Sequence, residues 1–228
     1  MGKKAKATHR KEESNSQNFL VVGMGASAGG LDAFKKFFGQ LPDETGMAFI
    51  IVQHFDPTHE SMMDDILGHY TNMPVKEAQE GVQVEPDHVY IIPPGKDMAI
   101  QDGKLHLIAP QQARGYRRPI DHFFRTLAED KHEQAVGIVL SGSGTEGTLG
   151  LKTIKGEGGL TIVENPETAK FDGMPRHAVE AGTADYILEI NEMPERILNY
   201  RDNRSVQQDE KSLIEELPAN LMERVFYL

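Results

Sequence analysis

The chain breaks repeatedly into short, continuous apolar runs rich in β-branched residues, each closed by Gly, Pro or a polar residue and followed by an amphipathic stretch. A strand with one wet face alternates apolar and polar residues, whereas a strand buried on both faces reads as an unbroken apolar run. Phe19–Met24, Met47–Gln53, Val89–Pro93, Ala135–Leu140 and Leu160–Glu164 are of the second kind, and Tyr186–Leu188 is a shorter sixth. Helical spacing fills the intervals, over Gly29–Gln40, Glu60–Tyr70, Pro119–Asp130, Thr148–Glu157, Pro175–Ala181 and Met193–Tyr200. This alternation predicts an α/β fold, an open, doubly wound, mostly parallel and Rossmann-like sheet covered by helices. Met98–Leu107 departs from it: Asp102-Gly103 sits between two alternating halves and predicts a small antiparallel hairpin.

Three segments follow from this pattern. Residues 1–18 read as a disordered basic leader, 19–200 as the α/β domain, and 201–228 as a linker and helical tail, in which Leu213, Ile214, Leu217, Leu221, Met222 and Val225 fall near helical spacing. The leader holds five cations against two carboxylates, so a chain of net charge −11 carries −14 after it. That charge repels a phosphate backbone and excludes nucleic acid as a general partner. The chain has no cysteine, which rules out a thiolate nucleophile and Cys-ligated metal, and fits a reducing cytoplasm. No apolar run approaches the roughly 18 residues of a membrane span, and the first residues lack the apolar core of a signal peptide. A cytoplasmic protein without membrane insertion is expected.

In open parallel sheets, ligands bind beyond the carboxyl ends of the strands. The first strand runs into Gly25-Ala26-Ser27-Ala28-Gly29, a G-x-S-x-G pattern whose small residues allow a sharp turn that exposes the serine hydroxyl. The same letters fit a dinucleotide loop, but such a site wants an acidic residue after the second strand, where this chain has Gln53-His54. His54 is a poor ribose anchor and a good general base, which favours a serine nucleophile. A helix N-cap is the bland alternative for Ser27. After the Ala135–Leu140 run comes Ser141-Gly-Ser-Gly-Thr-Glu146-Gly147, a glycine-rich loop at a helix start that offers backbone N–H groups to an anion. Glu146 is its one acidic group, suited either to orienting a histidine or merely to facing its own helix dipole. Asp56 and His59 lack a convincing third ligand, so no metal is expected.

Together with Asp172-Gly173-Met174-Pro175, these motifs resemble the catalytic domain of the bacterial chemotaxis methylesterase family, CheB (protein-glutamate methylesterase), over about residues 19–200. The resemblance implies hydrolysis of γ-glutamyl methyl esters on the cytoplasmic helices of methyl-accepting chemoreceptors, with glutamine deamidation in some members. It implies Ser27 as nucleophile, His54 as general base and Glu146 in the place of the orienting carboxylate. The Ser143 amide, with that of Ala28, would form the oxyanion hole, and no cofactor is required. Two positions depart from the family, which normally carries Asp at Glu146 and commonly Met at Ser143. The Arg117–Arg125 stretch and the tail look more like fused methylesterase–methyltransferase proteins, so a fused methyltransferase or sensory domain is an expected partner, and regulation by a receiver of its own is not. Arg114, Arg117 and Arg118 are expected to meet the acidic face of a receptor helix. Two other readings stay open here: a sensory module that keeps the fold without efficient hydrolysis, on account of Glu146, and a nucleotide-binding protein, on account of the glycine pattern.

Overall fold

The unbroken apolar runs become adjacent parallel strands. The computed structural model describes residues 19–53, 62–110 and 117–215, with side chains as far as residue 206. Its main sheet contains β1 (Val21–Ala26), β2 (Ala48–Gln53), β3 (Val75–Glu77), β4 (Val89–Ile91), β7 (Ala135–Val139), β8 (Leu160–Glu164) and β9 (Tyr186–Leu188). These lie in the order β3-β4-β2-β1-β7-β8-β9, every neighbouring pair parallel. Strand β3 is the one not anticipated: Pro74-Val-Lys-Glu contains a single apolar residue, because an outermost three-residue strand has little to bury. The expected hairpin is present as β5 (Asp97–Gln101) and β6 (Lys104–Ile108), joined by Asp102 at φ 51° and Gly103 at φ 71°. Two positive φ angles match the turn twist that antiparallel strands favour.

The helices are α1 (Gly30–Phe38), α2 (Met63–Leu67), α3 (Pro119–Lys131), α4 (Thr148–Gly156), α5 (Gly173–Glu180) and α6 (Met193–Glu215). Successive residues of a strand point to opposite faces, and β2 shows how both faces are covered. Phe49 meets Phe37 and Phe38 of α1 edge-on, with ring centroids 6.0 and 5.5 Å away. Its neighbours Ile50 and Val52 join Ile120, Phe123, Phe124 and Leu127 of α3 in the other core.

Helix α2 is shorter than the Glu60–Tyr70 periodicity suggests, ending at Leu67 with Gly68 as its C-cap. Helix α5 starts two residues early, since Pro175 in a first turn needs no intrahelical donor. Helix α6 continues through Arg201–Glu215, where a linker was expected, because no Gly or Pro follows Pro194 within it. The leader, His54, Asp56, His59, Arg114 and the tail residues Leu217, Leu221, Met222 and Val225 lie outside the described residues. No helix among the described residues is long and apolar enough to cross a membrane.

Candidate active site

Strand β1 is flanked by β2 on one side and β7 on the other. The chain therefore leaves β1 in one direction and returns beside it from the other, and the crevice beyond β1 and β7 is the switch point where open α/β sheets bind ligands. Two of the motifs singled out above open into it.

Ser27 is the residue after β1, and it is partly exposed. The N-cap of α1 is Gly29 at φ 80°, so Ser27 does not cap the helix. Among the described residues its hydroxyl has no hydrogen-bond partner, while its amide donates to the Ser141 carbonyl at 3.0 Å. The β7 loop presses closely on it: a Cβ placed on Gly142 would lie 3.0 Å from Ser27 Cβ and 2.3 Å from Met174 Sδ. Next along this loop, Ser143 is exposed. Among the described residues, neither its amide nor that of Ala28 has an acceptor. Two N–H groups flanking a hydroxyl, none of them partnered among the described residues, are what an acyl-transfer site needs where negative charge develops on a carbonyl oxygen.

The loop is braced from behind by the Asp172–Pro175 motif. Gly142 N–H donates to the Phe171 carbonyl at 3.0 Å, and Met174 N–H to the Gly142 carbonyl at 2.8 Å. A Cβ on Gly173 would stand 2.9 Å from the Gly144 nitrogen and 3.3 Å from Ser143 Cα. Gly173→Ala is therefore expected to displace the Ser143 amide and lower kcat at least about 10-fold, with KM little changed, since small misplacements in a preorganised site are costly. Steady-state kinetics of ester hydrolysis checks this; an unaltered kcat means the loop yields freely.

Glu146 is buried, and its Oε1 accepts the amide of Ile120, in the first turn of α3, at 2.5 Å. Asp121 of α3 in turn accepts the amide of Gly150, in the first turn of α4, at 2.9 Å, and pairs with Arg118 at 3.3 Å. Each helix thus has a first-turn donor satisfied by a carboxylate beside the other helix's start. First-turn amides have no intrahelical acceptor and favour a negative group. Glu146 precedes Gly147, the N-cap of α4, so it serves α3 rather than its own helix. The side chain of Ile120 packs where a Cβ on Gly25 would stand, 2.4 Å from its Cγ2, which ties the Glu146 anchor to β1 two residues before Ser27.

His54 itself lies outside the described residues, but it follows Gln53, which is paired in register with Ala26, the residue before Ser27. Arg117 and Arg118 stand at the start of α3, beside a groove of about 500 Å³ that also borders Asp97, His122, Arg125 and Leu149. No group of three or more potential metal-ligating side chains occurs among the described residues.

Sequence reasoning overlooked two residues. Ser141 lay within the noted loop without an assigned role, and Glu164 closes β8 as an acid at the end of an apolar run, which was the available signal. Glu164 is buried and accepts the Ser141 amide at 2.6 Å. Burial pushes its carboxyl above the usual range, against the opposing influence of that amide and of Lys36.

Comparison with known proteins places the fold in a family. The family model for CheB methylesterase matches residues 22–197. A putative protein-glutamate methylesterase/protein-glutamine glutaminase of Leptospira interrogans is 33% identical over 191 residues, covering 83% of this chain and 99% of that protein. Protein-glutamate methylesterase/protein-glutamine glutaminase 1 of Syntrophus aciditrophicus is 34% identical over 174 residues, with 76% of this chain matched to half of the longer relative. The crystal structure of the Thermotoga maritima CheB methylesterase catalytic domain superposes with a TM-score of 0.75 at 29% identity, covering 80% of this chain and 99% of that one. The chain belongs to the CheB methylesterase family.

Proposed function

We propose that the protein removes methyl groups from γ-glutamyl methyl esters on chemoreceptor cytoplasmic helices, by acyl transfer through Ser27. The observation that carries this reading is the Ser27 hydroxyl, without a hydrogen-bond partner among the described residues, beside the amides of Ala28 and Ser143, which have no acceptor among them, at the sheet's switch point. His54 takes the proton of Ser27 as its oxygen attacks the ester carbonyl, and the Ala28 and Ser143 amides hold the oxyanion. Collapse of the tetrahedral species expels methanol, with His54 returning the proton. Water activated by the same base then releases the glutamate carboxylate and restores Ser27. Glu146, anchored at one oxygen by Ile120, supplies the negative charge that holds the His54 tautomer and stabilises its imidazolium. The relatives' names also support deamidation of receptor glutamines, in which ammonia leaves in place of methanol. The direct test is methanol release from methylated receptor by the purified chain; no release above the uncatalysed rate overturns the proposal.

The groove beside α3 supports a docking role for Arg117 and Arg118, on an otherwise acidic protein, toward the acidic face of the receptor helix. Neutralising both to Ala is expected to raise KM several-fold at low ionic strength, with kcat nearly constant, and to flatten the salt dependence of kcat/KM. An unchanged salt profile assigns these side chains to an ordinary solvated surface.

A further inference from the structure

The residues that hold the nucleophile loop from beneath converge on one side chain. Ser141, buried just beyond β7, makes hydrogen bonds through its carbonyl, hydroxyl and amide. Its carbonyl accepts the Ser27 amide at 3.0 Å. Its hydroxyl donates to the Ala28 carbonyl at 2.9 Å and accepts the Phe171 amide at 2.9 Å. Its own amide donates to Glu164 at 2.6 Å. One residue therefore links the peptide before the nucleophile, the peptide after Ala28 and the segment that braces the Ser143 loop, while a buried carboxylate from the next strand fixes its orientation.

We propose that Ser141, oriented by Glu164, is a positioning residue for hydrolysis: it sets Ser27 and the two oxyanion amides in mutual register without touching substrate. This rests on the reading of Ser27 as nucleophile. Gly-rich turns are intrinsically soft, and this site places its nucleophile on one and an oxyanion donor on another. The Ser141 hydroxyl spans the two turns, bonding Ala28 on the first and the Phe171 segment that holds Gly142 on the second. Glu164 suits the supporting role because its charged form is costly in its buried setting unless the Ser141 amide points at it. The receptor need not meet either side chain, so their loss should alter turnover rather than docking.

Ser141→Ala keeps the backbone contacts and removes the hydroxyl's hydrogen bonds to Ala28 and Phe171. It is expected to lower kcat about 10- to 100-fold with KM within about twofold of wild type. The rate at which a serine-directed fluorophosphonate labels Ser27, measured per folded molecule, should fall by a similar factor. Glu164→Leu should behave likewise, and Glu164→Gln, which retains an oxygen for the Ser141 amide, should recover most of that loss. A purely structural role instead lowers the unfolding temperature while leaving the labelling rate per folded molecule at the wild-type value, and that result in both Ser141→Ala and Glu164→Leu overturns the proposal. Equal losses in Glu164→Leu and Glu164→Gln also overturn it. Ser27→Ala run alongside separates the two ideas: if it is still labelled and active, the nucleophile assignment fails, whereas if it is inert and Ser141→Ala is normal, only the positioning role fails.

Discussion

Ser27→Ala is expected to lower methanol release at least about 10⁴-fold while leaving the unfolding temperature near that of the parent. The size follows from losing the only covalent route: what survives is binding and oxyanion stabilisation acting on a water molecule, which in serine hydrolases retains a small residue of the rate. The neutral effect on folding follows from the hydroxyl's surroundings, since among the described residues it has no hydrogen-bond partner to lose. Methanol release from methylated receptor, with thermal unfolding of the same samples, checks both halves. A Ser27→Ala protein with parental activity removes Ser27 from the chemistry altogether.

The second large effect is expected at Glu146, where charge and shape can be varied separately. Glu146→Gln keeps an oxygen for the Ile120 amide but loses the negative charge, so kcat should fall by as much as about 10⁴-fold with little loss of stability. Glu146→Asp keeps the charge and restores the residue the family normally carries, so its rate should equal or exceed the parent's. Glu146→Ala loses both functions. Beyond the fall in rate it should cost about 1–3 kcal/mol of stability, because a buried amide at the start of α3 is left without an acceptor. Rates and denaturant midpoints for the three variants provide the check. If Gln and Asp give the same rate, Glu146 caps a helix and takes no part in catalysis.

How far the sequence discloses this arrangement depends on where each residue's partners lie. Strands β1, β2, β7 and β8 are legible because burial on both faces forces unbroken apolar runs, and the hairpin because only a few residue types suit its turn. Strand β3 is not, since a short strand at the sheet's margin leaves no pattern stronger than a loop's. At the site, Ser27 stands in a local motif and could be found. The partner of Glu146 could not: Ile120 is 26 residues away, so the obvious local reading, a carboxylate facing its own helix, named the right physics and the wrong helix. The role of Glu164 was hidden for a similar reason: an acid at the end of an apolar run stands out, but its partner Ser141 lies 23 residues back, just past the neighbouring strand.

The exchange of carboxylates between the starts of α3 and α4 has a consequence for how activity would decay over evolutionary time. A lineage relieved of the need to hydrolyse esters would still be held to an oxygen-bearing side chain at position 146, because the fold itself uses one there. The hydroxyl at position 27 has no comparable partner among the described residues. In diverged relatives, then, an acid or amide at the Glu146 position records descent from a common scaffold, and the presence or loss of the serine is the better witness to whether the chemistry persists.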